Sequence, residues 1–267
     1  MSNITIRASS WAGLFDCAYR WEGEQILGIR KPSGMRALLG TSIHAGTALF
    51  DQSRLERSGA TLRDATDELV RKLHDPGFEV DSGLDDLTIT EAKKIGQLLV
   101  ADYCSAWSPR YQFVAVEMIV EPLTIDCGGG VTVTLTGTLD RSRIKTGSEG
   151  EGISDLKTGG TAVQKGMATT KGRAPQIGTY ELLYEHTLKR AITAPAEIIG
   201  MKTRGKPEIA EGRIVGAKAM MVGNDEHPGL IQYAADMLRS GNFYPNPSSL
   251  LCGEKYCARW PRCAFHA

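Results

Sequence analysis

Residues 135–160, LTGTLDRSRIKTGSEGEGISDLKTGG, predict two neighbouring strands joined by a polar turn. Apolar and polar residues alternate on both sides of the turn, as they do along half-buried strands. The first strand carries Asp140. The second carries Asp155 and Lys157, which point to the same face because side chains alternate along a strand. If the strands pair, the two carboxylates and the ammonium converge at one edge of the sheet.

This constellation suits a divalent cation. Two carboxylates a few ångströms apart repel each other, and one of them tends to take up a proton. A cation removes the conflict, and ligands made of oxygen alone favour Mg²⁺ or Mn²⁺. The backbone carbonyl of Leu156 is a further candidate ligand, and Lys157 could orient water or neutralise charge on a phosphate. The alternative is a solvated Asp–Lys pair, because the pattern D-x-K is common by chance.

The rest of the chain predicts one α/β domain over residues 1–267, with a central mixed sheet flanked by helices. A mainly helical part (1–110) precedes a catalytic sheet core (111–220), and a last helix leads into a cysteine-rich tail (221–267). The predicted helices are 9–22, 41–58, 61–73, 90–107, 175–190 and 227–239. The predicted strands are 111–125, 131–144, 152–158, 195–203 and 211–219.

Composition excludes few functions. The chain is 42% hydrophobic and 23% charged, which is typical of a soluble globular protein. Its formal net charge of zero neither favours nor excludes a nucleic-acid partner, because the location of the charges decides. No apolar run is long enough to span a membrane and no secretory signal precedes the chain, so a cytoplasmic protein is expected, in a bacterium or a phage-infected host.

Four sequence elements resemble the RecB-type branch of the PD-(D/E)XK nucleases. In that branch an Asp in a GxxD strand precedes a DxK strand, a QxxxY helix follows, and a GTxxH helix lies upstream. The matching elements here are Gly137–Asp140, Asp155–Lys157, Gln176–Tyr180 and Gly40–His44. The resemblance implies a restriction-endonuclease-like core and metal-dependent hydrolysis of phosphodiester bonds.

The resemblance also implies roles for individual residues. As metal ligands it implies His44, Asp140, Asp155 and the Leu156 carbonyl. As the catalytic set it implies Lys157, Asp155, Asp140, Gln176 and Tyr180. Gln176 and Tyr180 are one helical turn apart and would position the scissile strand. Glu117 could add to the site, but a strand-edge or core-capping role is the preferred interpretation.

The cysteines form an uneven set. The tail LLCGEKYCARWPRC (250–263) has the spacing C-x₄-C-x₅-C, and Cys17 lies near the other end of the chain. Some RecB-type nucleases, including AddB and the CRISPR-adaptation nucleases, hold a 4Fe–4S cluster with one N-terminal and three C-terminal cysteines. The resemblance implies that cluster on Cys17, Cys252, Cys257 and Cys263, although its usual first gap is two residues. Zinc and free thiols are the alternatives.

Basic residues concentrate after the DxK strand. The segment 161–175 lacks periodicity and predicts a mobile loop over a phosphate backbone. The candidate DNA contacts are Lys165, Lys171, Arg173, Lys202 and Arg204, with plain solvation as the alternative. The stretch GMKTRGKP (200–207) nearly matches a phosphate-binding loop, but Pro207 replaces the required hydroxyl residue, so ATP binding is not expected.

These observations predict an exonuclease that acts on linear or single-stranded DNA from its ends, in recombination, repair or CRISPR adaptation. Two alternatives remain open. One is a structure-specific endonuclease that cuts flaps or branches, and the other is a non-catalytic DNA-binding subunit of a larger complex. DNA is the expected partner, with no membrane, and a recombination or adaptation protein or a second copy of the chain is a further candidate.

Overall fold

A five-stranded mixed sheet lies at the centre of the protein, whose computed structural model describes residues 2–266. The strands in chain order are β1 (Ser2–Arg7), β2 (Tyr111–Ile119), β3 (Leu123–Asp126), β4 (Val131–Thr136), β5 (Thr138–Lys145), β6 (Glu151–Gly159), β7 (Val163–Gln164), β8 (Met167–Ala168), β9 (Ala196–Lys202) and β10 (Glu208–Ile214). The central sheet has the order β10-β9-β6-β5-β2. Only β6 and β9 pair in parallel within it. The predicted α/β class with a mixed sheet is confirmed.

Helices cover both faces of this sheet. They are α1 (Trp11–Asp16), α2 (Ala18–Gln25), α3 (Met35–Glu56), α4 (Leu62–His74), α5 (Ile89–Asp102), α6 (Ala174–Leu188), α7 (Ala217–Val222) and α8 (Leu230–Ser240). Alternate strand residues serve the two faces: Leu156 and Ile199 join the core beneath α3–α5, whereas Ile153 and Ile198 join the core beneath α6–α8. No helix in the described part of the chain has the length and apolar character needed to cross a bilayer.

The segment 131–144 is two strands rather than the predicted one. β4 belongs to a small sheet of order β1-β4-β3, and β5 belongs to the central sheet. Gly137 separates them, because the aromatic ring of Tyr180 packs against it. A Cβ at this position would lie 2.9 Å from Tyr180 Cε1 and 3.3 Å from Ala8 Cβ. The alternating pattern runs through the glycine and does not reveal this break.

Other boundaries differ from the prediction as well, and the helix predicted over 41–58 is α3, which begins earlier, at Met35. The segment 111–125 divides into β2 and β3, which lie in different sheets. The predicted helix 9–22 is interrupted at Cys17, whose extended backbone (φ −148°, ψ 95°) ends α1 and begins α2. The predicted strand 211–219 ends at Ile214, because Gly216 adopts φ 72° and α7 follows.

Two strand pairings were not predicted at all. β1 lies parallel to β4, with Ile4 opposite Val133, although its sequence is short and half polar. The loop 161–175 contains the β7–β8 hairpin. The tail beyond 241 is irregular, as predicted, apart from a 3₁₀ turn at Trp260–Arg262.

Two helical glycines test how tightly the helices pack. At Gly178 in α6 an added methyl group would strike the backbone carbonyl of Ala217, whereas at Gly96 in α5 it would meet only side-chain ends, of Leu69 at 2.6 Å and of Leu39 at 3.2 Å. Gly178→Ala is therefore expected to lower the free energy of unfolding by about 1–3 kcal/mol. Gly96→Ala is expected to be close to neutral, because alanine favours a helix by about 1 kcal/mol over glycine. Urea denaturation measures both. Equal effects would contradict the packing described.

Candidate active site

The two aspartates lie where the ladder between β5 and β6 ends. The last paired residues are Arg141 and Ser154, so Asp140 and Asp155 follow directly on neighbouring strands. The backbone N–H of Leu156 donates a hydrogen bond to Asp140 Oδ2 at 2.9 Å. The predicted juxtaposition is therefore present, but it lies on two of the three inner strands, β5 and β6, and not on an edge strand of the sheet.

Asp155 is buried, with 1% of its side chain exposed. Burial raises the pKa of its carboxyl group, the neighbouring Asp140 raises it further, and Lys157 opposes both effects. The Lys157 ammonium forms an ion pair with Asp155 Oδ2, which accepts no regular hydrogen bond from any described residue. A buried carboxylate oxygen without a hydrogen bond, beside a second carboxylate, is the donor arrangement that a divalent cation would satisfy.

His44 reaches the site from α3. Gly40 permits the approach, since a Cβ at this position would lie 2.5 Å from Thr158 Oγ1 on β6. One turn later, His44 Nδ1 lies 3.6 Å from Asp140 Oδ2. Burial lowers the pKa of His44, and the attraction of Asp140 only partly offsets this. The lowered pKa favours the neutral imidazole that ligates metals.

Glu117 completes a potential metal site. Ligand atoms of His44, Glu117 and Asp140 all lie within 4.8 Å of one another. Glu117 has φ 45°, and β2 carries a register shift a few residues earlier, between Phe113 and Ala115. Glu117 lies on β2, the edge strand of the central sheet, as the preferred interpretation expects, and its carboxylate also faces the histidine and the aspartate.

Gln176 and Tyr180 reach the site from α6. Gln176 Nε2 donates to Asp155 Oδ1 at 3.1 Å and lies 3.2 Å from the Tyr180 hydroxyl. Burial raises the pKa of Tyr180, as do the nearby carboxylates, so its hydroxyl remains protonated and can donate. The helix that carries them begins next to Arg173, with Pro175 in its first turn. The predicted one-turn spacing thus brings both side chains to the aspartates.

Sequence reasoning did not identify Arg141, which is fully buried behind the site. Its guanidinium donates to Asp51 Oδ2 at 2.7 Å, to Glu117 Oε1 at 3.0 Å and to the Asp140 carbonyl at 2.7 Å. Asp51 is also fully buried and accepts hydrogen bonds from Tyr103 at 2.7 Å and Ser108 at 2.6 Å. Arg141 therefore connects a saturated internal network to Glu117 and to the backbone of Asp140.

A signal for this network exists in the sequence. Asp51 follows His44 by seven residues, two turns along α3, so both lie on the same side of the helix. Arg141 directly follows Asp140. Neither Asp51 nor Arg141 is unusual in the sequence by itself. Only the folded structure shows that the two side chains are in contact.

The structure also brings the four predicted cysteines together. All four line one small cavity between the α1–α2 junction and the tail; they are Cys17, Cys252, Cys257 and Cys263. None of the described cysteines forms a disulfide bond. Desolvation and the three neighbouring thiols raise the pKa of Cys252. The backbone N–H of Asn246 lies 3.4 Å from Cys17 Sγ. Cys104 is buried elsewhere, away from this cavity.

The predicted DNA contacts are dispersed. Lys171 and Arg173 line a pocket beside α1, and the charge of Arg173 acts on Asp155. Lys165 lies in the β7–β8 turn with φ 51°. Lys202 is within 4.0 Å of Glu208, and Arg204 packs near Gly160. Of these candidates, Lys171 and Arg173 lie closest to the helix that carries Gln176.

A family model for the PD-(D/E)XK nuclease superfamily matches residues 7–264, nearly the whole chain. The chain belongs to the PD-(D/E)XK nuclease superfamily. Nucleases of this superfamily use divalent metals, and the His44–Glu117–Asp140 group could bind one. The position of this group on the central sheet is consistent with a restriction-endonuclease-like fold.

One solved structure is similar to this nuclease over most of its length. It is a protein from Eubacterium rectale described as "Putative exonuclease", with a TM-score of 0.50 and 12% sequence identity. The alignment covers 92% of this chain and 85% of that chain. At this identity the similarity concerns the fold alone. No curated protein sequence matches the nuclease.

Two buried arginines on β5 provide a matched pair of variants. Arg141→Lys retains a charge near Asp51 but cannot keep all its hydrogen bonds, because lysine lacks the planar fork. We expect Mn²⁺ affinity, measured by titration calorimetry, to fall about 10–100-fold, as it does when groups that orient metal ligands are lost.

Arg143→Lys is the control for this comparison. Arg143 is 2% exposed and pairs with Glu197 at 3.1 Å, away from the aspartates. We expect this variant to lose stability without losing Mn²⁺ affinity. If both variants lose Mn²⁺ affinity equally, Arg141 does not position the metal ligands more than any other buried arginine on β5.

Proposed function

We propose that this nuclease is a divalent-metal-dependent deoxyribonuclease of the RecB-like branch that degrades linear or single-stranded DNA from its ends. The observation that carries the proposal is the convergence of His44, Glu117 and Asp140 with the Asp155–Lys157 pair. The description of the structurally similar Eubacterium rectale protein as a putative exonuclease agrees with it.

The residues present fit a bound cation. His44, Glu117, Asp140 and Asp155, with the Leu156 carbonyl, would hold Mg²⁺ or Mn²⁺. Asp155 Oδ2 is ion-paired with the Lys157 ammonium and accepts no other hydrogen bond from the described residues, so a cation would share this oxygen with the lysine. An imidazole beside carboxylates is compatible with Mn²⁺ in particular. When bound, the metal supplies a more acidic water and charge stabilisation at the phosphate.

Lys157, Gln176 and Tyr180 would bind and orient the phosphate. The Lys157 ammonium is 18% exposed and held by Asp155, so it can reach a phosphate oxygen and offset negative charge as the bond breaks. Gln176 binds Asp155 through one hydrogen bond and lies beside the Tyr180 hydroxyl. This pair would orient the scissile strand, because both groups can donate hydrogen bonds to a phosphate.

Lys157→Ala tests the proposal directly. With end-labelled linear DNA and Mn²⁺, we expect cleavage by the native chain and a loss of at least about 100-fold in the variant, as for removal of a group that stabilises developing charge. Lys94→Ala, at an exposed site on α5, should retain full activity.

The substrates distinguish the alternative functions. Circular DNA should remain intact if cleavage begins at ends, whereas a structure-specific endonuclease would cut branched circles. If the native chain binds DNA and cuts none of these substrates, the non-catalytic subunit replaces the enzyme.

The four cysteines, in this proposal, hold a 4Fe–4S cluster that ties the α1–α2 junction to the tail. The convergence of all four thiols on one cavity supports it. The amide of Asn246, near Cys17 Sγ, is the kind of donor that tunes such clusters.

Metal analysis of anaerobically purified protein tests the cluster. We expect about four irons per native chain, with matching sulfide. Cys252→Ser should lose most of the iron, whereas Cys127→Ser, outside the cavity, should keep it. Stoichiometric zinc, or iron unaffected by the Cys252 change, would contradict the proposal.

A further inference from the structure

Two pockets lie on either side of the short helix α1. The first, of about 490 Å³, borders the start of α6 and is lined by Lys171, Arg173 and Asp16, among others. The second, of about 430 Å³, lies on the opposite side, and its charged residues include Arg7 and Arg30. Their combined lining holds five cationic side chains and two acidic ones; these are Arg7, Arg20, Arg30, Lys171 and Arg173, against Asp16 and Glu24.

The pockets share two residues and adjoin the active site. Gly13 and Arg20 line both of them. Because Gly13 has no side chain, the surface of α1 is lowest at this residue, and we call this position the low point between the pockets. α1 packs directly on α6, the helix that carries Gln176. Arg173 lines the first pocket three residues before Gln176, and its positive charge acts on Asp155, so this pocket borders the start of the helix that reaches the aspartates.

Buried donors without partners line these pockets. Arg20 is 8% exposed, and its Nε makes no hydrogen bond with any described residue. The guanidinium forms ion pairs with Asp16 at 3.5 Å and with Glu24 at 3.8 Å, so its charge is compensated while its Nε–H lacks a hydrogen bond. Trp21, at 1% exposure, lines the second pocket, and its indole N–H also lacks a hydrogen-bond partner within the described chain. Buried donors without a hydrogen bond can be satisfied by an acceptor on a ligand.

We propose that the two pockets form one groove, the α1 groove, which binds the phosphate backbone of a single DNA strand and leads it to the active site. The inference rests on the proposed nuclease function and names the path of its substrate. Each pocket has the volume of a small-molecule site, a scale suited to nucleotides and far below that of a duplex.

A glutamate at the low point tests the groove. Gly13→Glu would place bulk and negative charge between the pockets, whereas Gly13→Ala adds only a Cβ in ordinary contact with Trp21 Cδ1 at 3.5 Å. We expect Gly13→Glu to raise the KM for long single strands about tenfold or more and to leave the shortest cleavable oligonucleotides unaffected, with Gly13→Ala behaving like the native chain.

Salt dependence gives a second readout. In a Lys157→Ala background, Arg7→Gln with Arg30→Gln should reduce the slope of log affinity against log salt for single-stranded DNA by about 1.4, since each lost contact contributes about 0.7. Arg63→Gln, an exposed position on α4, should leave the slope unchanged.

The outcomes separate the two proposals. If the native chain cuts no DNA, the proposed function fails. The α1 groove is overturned, while the nuclease stands, if the native chain cuts DNA but two results are found. Gly13→Glu changes the KM for short and long strands equally or not at all, and the double arginine variant leaves the salt slope unchanged.

Discussion

The repulsion between Asp140 and Asp155 is the constraint on which this structure depends. Both carboxylates lie on inner strands where the β5–β6 ladder ends, and one of them is almost fully buried. Such a pair is costly without positive charge nearby. The surrounding fold supplies donors and charge from both faces of the sheet: His44 from α3, Gln176 from α6 and Lys157 from β6 itself.

Behind the carboxylates, the positive charge of Arg141 is likewise balanced by nearby carboxylates within the core. Its guanidinium is saturated by Asp51, by Glu117 and by a backbone carbonyl, so a fully buried charge is compensated on every side. Glu117 thereby has one oxygen held by the core while its carboxylate faces His44. Arg20 lines both the cysteine cavity and the α1 groove. The α1–α2 segment that contacts the tail therefore also borders the path proposed for DNA.

The sequence predicted the α/β class and brought together the main site residues, because the GxxD, DxK, QxxxY and GTxxH elements each encode a local geometry. Glycine at position 40 admits a close helix, and spacings of two and four residues align side chains on a strand and a helix. Features that depend on distant contacts were missed. The ring of Tyr180 packs against Gly137 where β4 ends and β5 begins, Glu117 approaches His44 and Asp140 only in the folded chain, and β1 is defined by its pairing with β4.

The central claim is that the two aspartates share a divalent cation. The most direct test is a crystal of the native chain soaked in Mn²⁺ and measured near the manganese absorption edge. The account predicts an anomalous peak in contact with Asp140, Asp155 and His44, which disappears in crystals of Asp155→Asn. A saturating soak that leaves this position without a peak, or places manganese only elsewhere, would contradict it.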